Sequence, residues 1–247
     1  MNRILEVESV SKSFGGVVAN KAVTLHVEPG EIVGLIGPNG SGKTTLFNSI
    51  VGYHPIDGGV IRFEGREITR LRVPQIARLG LLRTFQQTRI YKRMSCDENM
   101  LISVSQAEET FRGMFIRSPE ETRERAEEIL DFVGLYAKRK LRAGDLSFGQ
   151  QKLLEFAMSL MNEPKMLLLD EPTAGISPTL INGLIDRLKL ANATLGITLL
   201  VIEHNMRVIM NLAQRIYCLA HGELLAQGTP AEVQNDQRVI DAYLGAH

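Results

Sequence analysis

The sequence predicts an α/β fold: a mainly parallel sheet with helices on its faces, an antiparallel β flank from the N-terminal third, and an inserted α-helical subdomain. Three observations carry this prediction. Short apolar runs at 31–36, 166–169, 197–202 and 215–219 are separated by helical stretches, the alternation that places parallel strands in one sheet. Ahead of the first run, Leu5 and Val7, then Val23, Leu25 and Val27, alternate with polar residues, as half-buried antiparallel strands do. From about Gln87 to Gly144 the strand signals give way to helix signals.

In chain order, Glu28-Pro29-Gly30 punctuates the second alternating run as a turn. The apolar run at 31–36 leads into the glycine-rich segment Gly37 to Gly42, and Thr44-Thr45-Leu46-Phe47-Asn48-Ser49-Ile50 has helical character. Val60-Ile61-Arg62-Phe63, a turn at Glu64-Gly65-Arg66, and Ile68 read as a hairpin. Helix signals start near Pro74 and are clearest at Ser118-Pro119-Glu120-Glu121, where Ser118 can cap, Pro119 occupies the first turn and Glu121 completes a capping box. Ala126, Ile129, Leu130 and Val133 then mark one apolar face, which Gly134 ends. The chain is thus expected to be a single domain over 1–247, with an α/β core and β flank from 1–86 and 156–247 and a helical subdomain at 87–155.

Composition narrows the classes. With 247 residues, 44% hydrophobic and 23% charged, the chain can bury a sizeable core. The 28 basic and 28 acidic residues cancel, so no global charge favours nucleic acid or an anionic membrane, and no nucleic-acid partner is expected. Cys96 and Cys218 stand far apart and in no metal-ligand spacing, which fits neutral thiols in a reducing cytosol. No stretch reaches the roughly 20 apolar residues of a membrane helix, and the first residues form no secretory leader. A cytoplasmic protein starting near Met1 is expected.

Gly37-Pro38-Asn39-Gly40-Ser41-Gly42-Lys43-Thr44 fits the phosphate-loop pattern of Gly, four residues, Gly-Lys and Ser or Thr. The glycines let the backbone wrap a phosphate, so that N–H groups and a helix N-terminus face its charge. Gly37, Asn39, Gly40, Ser41, Gly42, Lys43, Thr44 and Thr45 are placed around the phosphates, with Lys43 on the β- and γ-phosphates and the Thr44 hydroxyl on Mg²⁺. A preceding strand and a following helix favour this over a plain turn. Met166-Leu167-Leu168-Leu169-Asp170-Glu171 is an apolar strand delivering two carboxylates at its C-terminal end, where ligands bind in open α/β sheets. Adjacent strand residues point in different directions, so the acids divide the work. Asp170 suits the second shell of Mg²⁺ and Glu171 the attacking water; the bland alternative is a pair of solvated acids.

Between these motifs, Leu146-Ser147-Phe148-Gly149-Gln150-Gln151 resembles the signature segment of ABC-type ATPases, normally Leu-Ser-Gly-Gly-Gln, with Phe148 in place of a glycine. The resemblance implies ATP and Mg²⁺ as cofactors and a nucleotide-sandwich dimer, in which Ser147, Gly149 and Gln150 face the γ-phosphate held by the other subunit. It further implies that Phe14 stacks on adenine, that Gln86, in Arg83-Thr84-Phe85-Gln86, senses Mg²⁺ and the attacking water, and that His204 contacts the γ-phosphate. Ser177 stands where the family usually has an Asp. Phe14-Gly15-Gly16, Ile202-Glu203-His204-Asn205-Met206 and Ala242-Tyr243-Leu244-Gly245 add a likeness to the ATP-binding subunits of branched-chain amino-acid (Liv-type) importers, in particular the longer of their two subunit types.

That resemblance implies an ATPase peripheral on the inner face of the cell membrane, catalytic through Glu171, His204, Gln86 and Lys43. Its expected partners are integral membrane permease subunits, a second ATPase subunit that is a related chain or a copy of itself, and indirectly a solute-binding protein. Residues 91–100 are expected to dock a short cytoplasmic helix of the permease. The rival readings are a non-transport ABC ATPase acting on ribosomes or DNA and a phosphate-loop kinase with a small acceptor. The former usually has two such domains or a coiled-coil insertion, and the latter needs no signature segment. Arg83, Arg89, Lys92 and Arg93 read as an exposed basic face or ion pairs distant from phosphate, Met158 and Met161 as core, and 120–128 as a solvated helix face.

Overall fold

The computed structural model of the protein describes residues 3–84, 90–104 and 118–244, with the side chain of Thr179 excepted. Gln86, Gln87 and Arg89 lie outside the described residues, as does Gly245. Ten strands and nine α-helices are described, in two compact units. The first takes in the described residues within Met1–Arg83, Lys165–Pro172 and Lys189–His247, and the second those within Thr84–Pro164 and Thr173–Leu188.

In the first unit, β1 (Leu5–Phe14) and β2 (Val17–Val27) pair antiparallel, with Leu5 opposite Val27, Val7 opposite Leu25 and Val10 opposite Val23. The alternating residues read from the sequence therefore share one buried face. On the other side of β1 lies β4 (Gly58–Phe63), which turns into β5 (Arg66–Glu67). Glu64 and Gly65 both have positive φ, 49° and 74°. Two such residues make the tight turn whose twist suits a hairpin.

The second sheet runs in the order β10 (Glu223–Gly228), β9 (Arg215–Ala220), β3 (Ile32–Ile36), β8 (Thr198–Ile202), β7 (Met166–Asp170), β6 (Leu81–Arg83). All pairs are parallel except the β9–β10 edge. Val33, Leu35, Leu168, Leu200, Ile202, Tyr217 and Leu219 face the same core as Leu5, Leu25, Ile61 and Phe63 of the first sheet, with Leu46, Phe47 and Ile50 of α1 (Lys43–Ile50). The opposite face is covered too. A Cβ on Gly34 would lie 2.7 Å from Ile209 of α7 (Met206–Leu212), so glycine there admits the helix. Both faces are thus dry, which is why these strands read as continuous apolar runs.

The short strands β6 and β10 go beyond the sequence reading. So do the short α8 (Pro230–Gln234) and α9 (Gln237–Leu244).

The second unit is helical, and it takes in residues 156–164 and 173–188, which the sequence reading assigns to the core. In it α3 (Cys96–Ser103), α4 (Pro119–Phe132) and α5 (Phe148–Leu160) touch pairwise. The box at Ser118 forms: its hydroxyl accepts from Glu121 N at 3.1 Å while Ser118 N donates to Glu121 Oε2 at 2.6 Å. Ala126, Ile129, Leu130 and Val133 are buried, and Gly134 ends the helix with φ 77°. Met161 is buried and Met158 half-buried, while Arg125 and Glu128 pair on an exposed face. Cys96 and Cys218 are free and buried, and burial pushes each thiol up to about 11. No helix among the described residues is long and apolar enough to cross a membrane.

Candidate active site

Apart from Phe14, which ends β1 in the other sheet, the candidate groups of the first unit gather along one edge, the C-terminal ends of β3, β8, β7 and β6, in that spatial order. Strand β3 delivers Gly37, β8 leads to His204, β7 ends in Asp170, and β6 ends in Arg83.

The phosphate loop is shaped by its glycines. Gly37 has φ 147° and Gly42 has φ 97°, a region closed to most side chains. A Cβ on Gly37 would also stand 2.1 Å from the Leu219 carbonyl oxygen, and one on Gly42 2.2 Å from that of Ala19. The loop is therefore pressed onto β9 and β2, and no other residue fits either place. Gly42 caps α1, whose first residues Lys43, Thr44 and Thr45 offer backbone N–H groups without intrahelical partners. Asn39, Gly40 and Thr44 are exposed, Thr45 half-buried and Ser41 buried. The Lys43 ammonium turns into the loop, donating to Gly37 O at 2.8 Å, Pro38 O at 2.9 Å and Ser41 Oγ at 3.3 Å. Burial pushes its pKa down, and Glu171 is the first group opposing that shift.

The two acids are separated by a device other than strand pleating. The strand ends at Asp170, and Glu171 has a left-handed backbone with φ 49° while its N–H donates to Ile202 O at 2.9 Å. Because Asp170 is in register with Ile202 of the neighbouring strand, Glu171 and His204 emerge side by side. Glu171 Oε1 and His204 Nε2 are 2.9 Å apart and both side chains are partly exposed. Asp170 points into the protein. Its Oδ2 accepts from Arg83 Nη2 at 2.6 Å, while Oδ1 is buried with no hydrogen-bond partner among the described residues. Burial pushes the Asp170 carboxyl up, and Arg83 is the first group resisting that shift.

Of the two sequence readings of Arg83 the ion pair holds and the exposed face does not, and the pair lies within the candidate site and not apart from it. The Arg83 side chain is 8% exposed, bonds Asn48 Oδ1 as well as Asp170, and sits over the Phe47 ring. No local signal marks it, since its partners are remote in sequence. Arg83→Ala leaves a buried carboxylate uncompensated, which costs about 3–5 kcal/mol. For a chain of this size that lowers the melting temperature by on the order of 10 °C. Thermal unfolding followed by circular dichroism checks this, and a shift below about 3 °C would show that the pair is not structural.

Phe14 ends β1 before the Gly15-Gly16 turn and is 44% exposed. Its ring meets His54 edge-on at 5.2 Å and carries Lys12 Nζ 5.0 Å from its centroid. Gln86 lies outside the described residues. Among the described residues no group of three His, Cys, Asp or Glu is arranged to hold a metal, so a cation here would depend on oxygens such as Thr44 and Asp170 together with a ligand's own.

In the second unit Ser147 caps α5. Its hydroxyl accepts from Gln150 N at 3.4 Å, and its N–H donates to Gln150 Oε1 at 3.2 Å, a capping box that commits Gln150 to the helix start. Gly149 is buried, and a Cβ there would come within 3.0 Å of Leu180. Phe148 is half-exposed. Its ring lies against Gly175, where a Cβ would be 2.9 Å away, so Phe148 touches the loop that also carries Ser177. Asn99, wholly buried, staples the turn before α3: its amide donates to Tyr91 O, Met94 O and Ser95 O, and its oxygen accepts from Tyr91 N.

Residues 20–174 match the family model described as ABC transporter, and residues 223–247 match one described as branched-chain amino acid ATP-binding cassette transporter. The chain is 39% identical over 249 residues to the high-affinity branched-chain amino acid transport ATP-binding protein BraF of Pseudomonas aeruginosa, covering 98% of each. Among solved structures it resembles the ADP conformation of an ATP-binding cassette of an ABC transporter, with TM-score 0.90 and 35% identity over 99% of this chain and 100% of that one. A dimeric ATP-binding cassette in a post-hydrolysis state with ADP and Pi matches with TM-score 0.77 and 27% identity, over 92% and 98% of the two chains. Fold, strand-end site and both family matches agree: this chain belongs to the ABC transporter family, as one of its ATP-binding, ATP-hydrolysing subunits.

Proposed function

We propose that the chain powers import of branched-chain amino acids, or of similar small amino acids or amides, as a peripheral subunit on the inner face of the membrane. The observation that supports an ATP-driven motor best is the single edge holding Lys43, Asp170, Glu171 and His204 at neighbouring strand ends. The named substrates of its relatives and the match at 223–247 support the choice of solute.

In this reading Lys43 exchanges its loop acceptors for the β- and γ-phosphates, and Phe14 stacks on the base. Thr44, Asp170 and Gln86 would hold Mg²⁺, which shields phosphate charge when bound. The buried Oδ1 of Asp170, without a partner among the described residues, fits a cation-bound water, while Arg83 keeps Oδ2 occupied. Glu171 takes a proton from the attacking water, and His204, 2.9 Å away, fixes that carboxylate and reaches the γ-phosphate. Ser147, Gly149 and Gln150 complete the γ-phosphate site of a second ATPase subunit, a related chain in preference to a copy. Permease subunits dock near residues 91–100, where Tyr91 is exposed on the turn that Asn99 holds.

The test is uptake. Cells lacking the protein should lose high-affinity uptake of leucine, isoleucine or valine, or of a related amino acid or amide, while the solute-binding protein still binds it. Unchanged uptake across that group removes the proposed substrate.

A further inference from the structure

The closing motif Ala242-Tyr243-Leu244 has so far no role, yet it reaches the phosphate loop. The Tyr243 hydroxyl, on α9, accepts a hydrogen bond from Gly37 N at 2.8 Å. That N–H belongs to the first glycine of the loop, at the point where strand backbone leaves the sheet. The loop is held at two further places. Asn20 Nδ2 donates to Gly42 O at 3.2 Å, and Gly222 N donates to Ser41 O at 3.2 Å. Tyr243 is the one of the three that comes from the end of the chain, 206 residues after Gly37.

We propose that Tyr243 is a positioning residue for nucleotide binding, its hydroxyl fixing the Ile36–Gly37 peptide so that the loop's remaining N–H groups stay aimed at a phosphate. The geometry leaves little slack for this peptide. With φ 147° at Gly37, and the Leu219 carbonyl oxygen 2.1 Å from where a Cβ would stand, the glycine can rotate only by breaking from Tyr243 or from β9. The hydroxyl sits in a largely desolvated place: burial pushes its pKa up to about 12, so it stays protonated and neutral. A peptide N–H turned away from it would lose its partner away from water. The C-terminal helix thereby becomes part of the nucleotide site without touching the nucleotide.

This inference rests on the phosphate-loop reading, and the experiment separates the two. Tyr243→Phe keeps the ring and removes only the acceptor. Affinity for ATP and for ADP is measured on the full chain by fluorescent-nucleotide displacement, beside Lys43→Ala and Val239→Ala. Val239, buried on α9, tests helix packing while the hydroxyl remains. The expected result is a Kd raised roughly 3- to 10-fold for both nucleotides in Tyr243→Phe, tenfold being about 1.4 kcal/mol and the order of one hydrogen bond. ATP and ADP should weaken by the same factor, because the loop wraps phosphates that both possess. KM for ATP should rise while kcat at saturation holds, and Val239→Ala should lower the melting temperature with Kd unchanged within twofold. A Tyr243→Phe affinity within twofold of the parent, beside a Lys43→Ala protein that no longer binds, overturns this inference alone. A loss confined to ATP, or an equal loss in Val239→Ala, overturns it as well. Normal binding by Lys43→Ala overturns the phosphate-loop reading beneath it.

Discussion

Lys43→Ala should lower ATP hydrolysis by at least about 10²- to 10³-fold, the scale on which removing one preorganised donor from a developing oxyanion acts. Among the described residues Lys43 is the cation placed inside the phosphate loop, and it is held there by two carbonyls and a hydroxyl. Those contacts keep the ammonium aimed into the loop before any nucleotide arrives, so little ordering remains when phosphate replaces them. Thermal stability should change by only about 2–4 °C, the effect of roughly 1 kcal/mol in a chain of this length. The core packing of Leu46, Phe47 and Ile50 on the same helix is untouched. Phosphate release from the purified variant decides the matter. Hydrolysis within about threefold of the parent removes the loop from the mechanism.

The second large effect is expected from Glu171→Gln, with hydrolysis falling about 10²- to 10⁴-fold while ATP still binds. Glutamine keeps an oxygen that can accept from His204 Nε2, now 2.9 Å from Glu171 Oε1, so the local geometry survives and only the proton acceptor is lost. ATP then persists on the protein. If Ser147 and Gly149 of one chain complete the γ-phosphate site of another, the trapped nucleotide holds two chains together by mass action, and ADP does not. Size-exclusion chromatography with light scattering, in MgATP and in MgADP, reads this out, with the related ATPase subunit present and absent. Adding Ser147→Arg should abolish the dimer, because a bulky cation replaces the cap whose hydroxyl receives Gln150 N. Monomers in every condition would contradict the sandwich arrangement.

What was legible beforehand divides along a physical line. The phosphate loop, the capping boxes at Ser118 and Ser147, and the apolar strands β3, β7 and β8 are short-range features, each dictated by residues within a few positions. The sequence therefore exposes them directly. Arg83 pairs with Asn48 across 35 positions and with Asp170 across 87, and Tyr243 meets Gly37 across 206. No periodicity encodes such pairs; they exist only once the parallel strands are in register. The strand β6 is three residues long and β10 is an edge strand, mostly half-buried with polar Glu223 and Gln227, so neither produces a long apolar run. The separation of Asp170 from Glu171 has a different cause from the strand alternation that the sequence suggests. It comes from the strand stopping and the backbone turning left-handed, not from continued alternation.

That turn sets up a conflict between durability and work. Among the described residues six that are not glycine have positive φ, and Glu171 is the one with a proposed catalytic task. A glutamate backbone held there costs about 1–3 kcal/mol, which glycine would not incur. Selection for heat resistance alone would accordingly drift toward glycine at position 171. The survivors of such a screen would be tougher proteins that have stopped consuming ATP.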